Sequence, residues 1–186
     1  MNLYQNGIFH CYNRGNNKQK IFFSESNYLY FLSKIKNHLC PRLDVLAYCL
    51  MPNHFHLLVH IPEDCDMISL TNNWRIMLSS YTRAINKQNE WTGSLFQQKT
   101  KSREMGSDLQ TLVCLNYIHQ NPISAGLVQK MEDWKFSSFG SYASLWKDDI
   151  LDFTVNNQLM NLPETSTEFH AMSCDILPNN YHEKIF

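Results

Sequence analysis

The stretch Tyr48-Cys49-Leu50-Met51-Pro52-Asn53-His54-Phe55-His56-Leu57-Leu58-Val59 is two apolar, strand-forming runs meeting at a Pro-Asn pair. Proline removes a backbone donor and locks φ, so the two runs are expected to fold back on each other as a hairpin, with strands at roughly 43–51 and 53–61. Side chains alternate along a strand. His54 and His56 therefore point to the same face about 7 Å apart, and Phe55 turns to the other. Two imidazoles on one face can converge on a single metal ion, so the rest of the chain is read for what such a pair needs.

Ile8 to Arg14 reads as a first strand, followed by a polar turn over 15–20 that carries Lys18 and Lys20 beside Arg14, a candidate phosphate-contacting loop. Ser24 or Ser26 can cap a helix running to about Leu39, with Tyr28, Phe31, Leu32, Ile35 and Leu39 as its apolar stripe and Pro41 as its stop. A second helix spans about 66–90, with Leu70, Trp74, Met77, Leu78, Tyr81 and Ile85 on its buried side. Residues 91–105 read as a turn and a strand with Lys99, Lys101 and Arg103 on one face. Ser107 and Gln110 form the capping box of a third helix, which Asn121-Pro122 is expected to end.

The order β-α-β-β-α-β-α indicates an α+β, ferredoxin-like split β-α-β fold, an antiparallel sheet with helices packed on one face. Residues 1–150 form the domain. An aromatic-rich run from Asp133 to Tyr142 packs on it, and 151–186 reads as a tail with a short helix at most.

Composition narrows the setting. The formal charge of −1 gives no general basic signature, so nucleic-acid contact has to come from a local patch, with Arg14, Lys18, Lys20, Lys99, Lys101 and Arg103 as the candidates. The six cysteines show no paired spacing, the first residues lack the basic and apolar regions of a signal peptide, and no apolar run is long enough to cross a membrane. A cytoplasmic protein with reduced thiols and no membrane partner is the expectation.

The histidine pair needs a further ligand. His60 shares their strand face, which allows a three-histidine zinc hydrolase, but it lies far along the strand rise. Asn121 offers an amide oxygen suited to a hard divalent ion, one helical turn after Tyr117. A phenol and a divalent ion together suit phosphodiester transesterification, in which the tyrosine attacks phosphorus and the bond energy is kept for rejoining.

These segments resemble the IS200/IS605-type single-tyrosine transposases, most closely the REP-associated tyrosine transposases. The resemblance rests on Ala47 to Val59, with its His-hydrophobe-His core, on Tyr12-Asn13-Arg14-Gly15-Asn16-Asn17, on Asn116 to Val128, and on Trp134-Lys135-Phe136-Ser137-Ser138-Phe139. Gly93-Ser94-Leu95-Phe96-Gln97 is similar to a further family segment, and coverage runs from about residue 5 to 145. The resemblance implies a ferredoxin-like nuclease acting on single-stranded DNA near hairpins. His54, His56 and Asn121 would be ligands of a divalent ion, Mg2+ or Mn2+, and Tyr117 the nucleophile of a 5′-phosphotyrosine link. It leaves a homodimer open, since relatives act both as dimers that share sites and as monomers. The alternative function is a hairpin-specific single-stranded DNA-binding protein without productive transposition.

Overall fold

A computed structural model describes residues 1–175. Strands β1 (Gly7–Arg14), β2 (Asp44–Met51), β3 (His54–Ile61) and β4 (Lys101–Glu104) form one sheet in the order β2-β3-β1-β4, every neighbouring pair antiparallel. Helix α1 (Glu25–His38) connects β1 to β2, and α2 (Met67–Asn89) connects β3 to β4. This is the split β-α-β arrangement. The strand expected within 91–105 is short, and Lys99 lies outside it.

The hairpin closes as expected, with Met51 paired to His54 across Pro52-Asn53. Neither turn residue has a positive φ, so the turn is not of the left-handed kind that most tight hairpins use. Its carbonyls are instead held from outside. Ile21 N and Phe22 N donate to Pro52 O at 2.8 and 3.1 Å, and Gly15 N donates to Asn53 O at 2.9 Å. The loop after β1 is thereby tied to the hairpin tip. Gly15 is required there, because a Cβ would sit 2.2 Å from the Gln19 carbonyl oxygen.

Alternation gives the sheet two different faces. Phe55 meets Phe31 of α1, which in turn packs on Tyr81 of α2, so the main aromatic core lies between the sheet and these two helices. The expected packing of helices on one face holds for α1 and α2. The opposite face carries His54 and His56 and is covered by helix α3 (Asp108–Ser124), whose Tyr117 ring lies against His56.

Strand β2 departs from simple alternation. Val45 pairs with Val59 but Ala47 with Leu58, so one extra residue is inserted and Val45 and Ala47 face opposite sides. Plain alternation along the strand would put them on one side. The carbonyls freed by the bulge are taken up by side chains: Tyr142 Oη donates to Leu46 O at 2.6 Å, and Asn156 Nδ2 donates to Val45 O at 3.2 Å.

The outer edge of β2 is covered by the aromatic-rich run. Leu50 N donates to Phe136 O at 2.9 Å, Ser138 N to Tyr48 O at 3.0 Å, and Trp134 Nε1 to Leu50 O at 3.1 Å. An edge dressed this way is closed to further strand pairing. Helix α4 (Phe139–Tyr142) follows. Where the sequence suggested a tail with a short helix at most, two helices, α5 (Phe153–Met160) and α6 (Ser166–Ser173), pack on the domain with Asn156, Met160 and Phe169 buried. Residues 176–186 of that tail lie outside the described residues. Among the described residues no helix is long and apolar enough to cross a membrane.

Candidate active site on the helix-covered face of the sheet

His54 and His56 sit on β3 with ring centroids 4.9 Å apart and ring planes nearly perpendicular. Each imidazole has its Nδ1 engaged. Asn53 Oδ1 lies 2.7 Å from His54 Nδ1, and Asn53 Nδ2 donates to Lys18 O at 3.2 Å. The second bond orients the amide, so Oδ1 is the acceptor and His54 carries its proton on Nδ1. His54 Nε2 is then unprotonated, the form a metal ligand takes.

His56 Nδ1 lies 2.8 Å from Nε2 of His10, a residue of β1 that sequence reasoning missed. The signal was available: His10, Tyr12 and Arg14 share one strand face, and the register sets Tyr12 opposite His56 and Arg14 opposite His54. Both His10 and His56 are fully buried. Burial, with the Arg103 charge adding to it, pushes His10 down to about 3. Burial and Arg14 push His54 down to about 4, and burial together with the two neighbouring imidazoles holds His56 well below its ordinary value. All three rings are neutral at neutral pH.

Tyr117 comes from α3. Ser107 caps that helix by accepting Gln110 N at 3.3 Å, and Gln110 Oε1 accepts Gly106 N at 3.0 Å, so the anticipated cap is formed with the glutamine reaching one residue further back. The helix does not stop at Asn121-Pro122 but continues through the proline to Ser124. A proline so close to the end disturbs few bonds, and the final carbonyls are taken by Ala125 N from Asn121, Gly126 N from Ile123 and Leu127 N from Pro122, with Gly126 at φ +68. Asn121 therefore stays on the helix, one turn from Tyr117, and its Nδ2 donates to Tyr117 O at 2.8 Å.

The Tyr117 ring meets His56 and His10 edge-on at 5.5 and 6.0 Å between centroids, all within one chain. The side chain is fully buried. Burial pushes its phenol above the ordinary tyrosine value, against a lowering by the Asn121 hydrogen bond.

The basic candidates divide. Register puts Lys101 opposite Tyr12 and Arg103 opposite His10, on the histidine face, and the Lys101 ammonium lies 5.7 Å from the Tyr12 ring. Arg14 and Arg103 are near enough to act on the Tyr12 phenol, which burial raises and their charges lower. Lys18 and Lys20 are exposed in the loop tied to the hairpin tip. Lys99 instead lines a small cavity beside Met67, Thr71 and Trp74 of α2, away from the histidines. His60 is bound at Nδ1 to Asp44 Oδ2 at 2.8 Å, and among the described residues no three His, Cys, Asp or Glu side chains gather into a metal site. The three-histidine zinc arrangement is not formed.

A model of the family described as "Transposase IS200 like" matches residues 4–121. The chain belongs to that transposase family. It is 27% identical over 124 residues to the REP-associated tyrosine transposase of Escherichia coli (strain K12), covering 63% of this chain and 71% of that protein. It is also 27% identical over 105 residues to a putative REP-associated tyrosine transposase of Haemophilus influenzae (strain ATCC 51907 / DSM 11121 / KW20 / Rd), covering 52% of this chain and 58% of that protein. Among solved structures, that of a REP-associated tyrosine transposase bound to a REP hairpin superposes with a TM-score of 0.63 at 21% identity, covering 83% of this chain and 96% of the other. The structural likeness covers more of the chain than residues 4–121, which the family model matches.

Proposed function

We propose that this transposase cleaves and rejoins single-stranded DNA beside hairpins through a 5′-phosphotyrosine at Tyr117. The observation that carries the reading is the contact of the Tyr117 ring with His56 in the same chain. In this reading the nucleophile and the ligand pair come from one chain.

In the forward step the Tyr117 oxygen bonds to phosphorus, the bond from phosphorus to the 3′ oxygen breaks, and the phenolic proton leaves as a 3′ hydroxyl is formed. In the reverse step a 3′ hydroxyl attacks the phosphotyrosine and restores a phosphodiester, so rejoining needs no outside energy source. Because burial raises the Tyr117 phenol, its proton must be removed as the bond forms, and cleavage should speed up as pH rises. Nε2 of His54 and of His56 and the Asn121 side-chain oxygen would hold a divalent ion, Mg2+ or Mn2+. The nitrogen and hard-oxygen donor set fits, and the His54 tautomer suits it. Such an ion, when bound, offsets negative charge on the phosphate. Tyr12, Lys101, Arg103 and Arg14 line the same face and would take the strand, with the loop of Lys18 and Lys20 nearby. A hairpin is the expected DNA partner, as the structural neighbour was solved with one.

A second reading, hairpin binding without productive cleavage, has one observation in its favour: the Tyr117 side chain is fully buried, so DNA reaches it only after its surroundings move. The test is incubation with hairpin-bearing single strands and Mg2+ or Mn2+. The parent protein should nick the strand and become covalently attached, and Tyr117→Phe should do neither. A covalent adduct on Tyr117→Phe would overturn the nucleophile. Intact DNA with the parent protein, despite binding, would favour the second reading.

A further inference from the structure

We infer that His10 is a positioning residue for His56, accepting its Nδ1–H so that Nε2 is presented to the ion. The inference rests on the reading of His56 as a metal ligand. A neutral imidazole carries one proton, and a ring that coordinates through Nε2 must carry it on Nδ1. His10 Nε2, at 2.8 Å, is the nitrogen the structure places against His56 Nδ1, and in that tautomer it accepts. Asn53 Oδ1 serves His54 in the same way from the neighbouring position.

The arrangement also shows what His10 is not. Its Nε2 faces His56 Nδ1, on the side of the His56 ring away from Nε2, so His10 cannot be a third ligand to the same ion through that nitrogen. Its Nδ1 is buried and has no hydrogen-bond partner among the described residues. When His56 donates, the His10 proton sits on this Nδ1. When His56 carries its proton on Nε2, His10 donates and its Nδ1 is a bare lone pair. The two rings can therefore exchange which one donates while both stay neutral. Ion binding selects the arrangement in which His56 donates.

His10 also packs: its ring stacks on Tyr12 at 5.0 Å between centroids, and it meets His56 edge to edge with 21° between the ring planes. A test must separate packing from hydrogen bonding. His10→Phe keeps a flat ring but has no acceptor, whereas His10→Gln can return an acceptor oxygen near the lost Nε2. Mn2+ binding to the DNA-free full chain is measured by titration calorimetry, with His56→Ala alongside and thermal melts of each variant.

His10→Phe should weaken Mn2+ binding about 10- to 100-fold, in the range seen when the hydrogen-bond partner of a metal ligand is removed, and His10→Gln should recover most of it. Nitrogen NMR of the Mg2+-loaded parent protein should find the His56 proton on Nδ1, a readout that needs no variant. Unchanged affinity in His10→Phe with affinity abolished in His56→Ala overturns the role of His10 alone, as does a His56 proton on Nε2 in the loaded protein. Unchanged affinity in His56→Ala, or no Mn2+ binding by the parent, overturns the metal reading and this inference with it.

Discussion

His119 lies two residues after the candidate nucleophile, yet it serves the scaffold. It is fully buried, with Nε2 2.8 Å from Ser138 Oγ, and Ser138 in turn holds Tyr48 of β2 through its Oγ and its backbone. The family segment containing Trp134 to Phe139 is thus joined to α3 at this residue. Burial pushes His119 down to about 3, below the roughly 6.5 of an unfolded histidine. A histidine with a depressed folded value favours the folded state fully above pH 6.5, and that contribution is lost as pH falls towards 3. The expected slope for one such residue is on the order of 1 kcal/mol per pH unit. Urea denaturation between pH 6.5 and 4.5 should therefore show the parent losing stability more steeply than His119→Gln. Parallel losses would show that His119 does not set this acid sensitivity.

Among elements, the C-terminal helices are the least expected. Asn156 of α5 reaches across to the β2 bulge, donating to Val45 O at 3.2 Å and to Tyr142 Oη at 2.7 Å. From α3, Asn116 and Gln120 donate to the carbonyls of Met172 and Ser173 in α6, each at 2.8 Å. The helix that carries Tyr117 is gripped from both sides, by the sheet and by the C-terminal segment, so that residues 114–119 are all buried, which explains its weak amphipathic pattern: a stretch covered all round has no polar face to display. Asn156→Ala removes two buried hydrogen bonds and strands their partners, at a cost of about 1–3 kcal/mol by chemical denaturation. A change near zero would mean water or a shifted side chain replaces them. The periodicity after residue 151 is too brief to announce these helices, because their stability comes from the bulge and from α3, not from their own propensity.

For the whole molecule, a net charge of −1 leaves any DNA attraction to local arrangement, and folding sets two basic side chains on the histidine face. Lys101 and Arg103 lie on the histidine face, while Lys99, treated as their equal when read along the chain, lies beside α2. Replacing Lys101 and Arg103 by Gln should weaken single-strand binding and lower the salt slope by roughly 0.7 for each phosphate no longer neutralised, and Lys99→Gln should leave the slope near its parent value. Equal effects at all three positions would show that the bound strand runs off this face.

The hairpin, the common face of His54 and His56, the two crossover helices and the single turn between Tyr117 and Asn121 were all legible in the chain, because each is a matter of turn chemistry or periodicity among near neighbours. Other features depend on segments far apart in sequence. The β2 bulge reverses the strand's parity because Tyr142 and Asn156 are present to satisfy its carbonyls. Helix α3 runs through Pro122 because the residues after it close the end. His10 meets His56 from 46 residues away, and Tyr117 is set against both by the docking of its helix. Local order is written in adjacent residues, whereas the approach of Tyr117 to the histidine pair follows from how elements pack, which no short stretch of sequence contains.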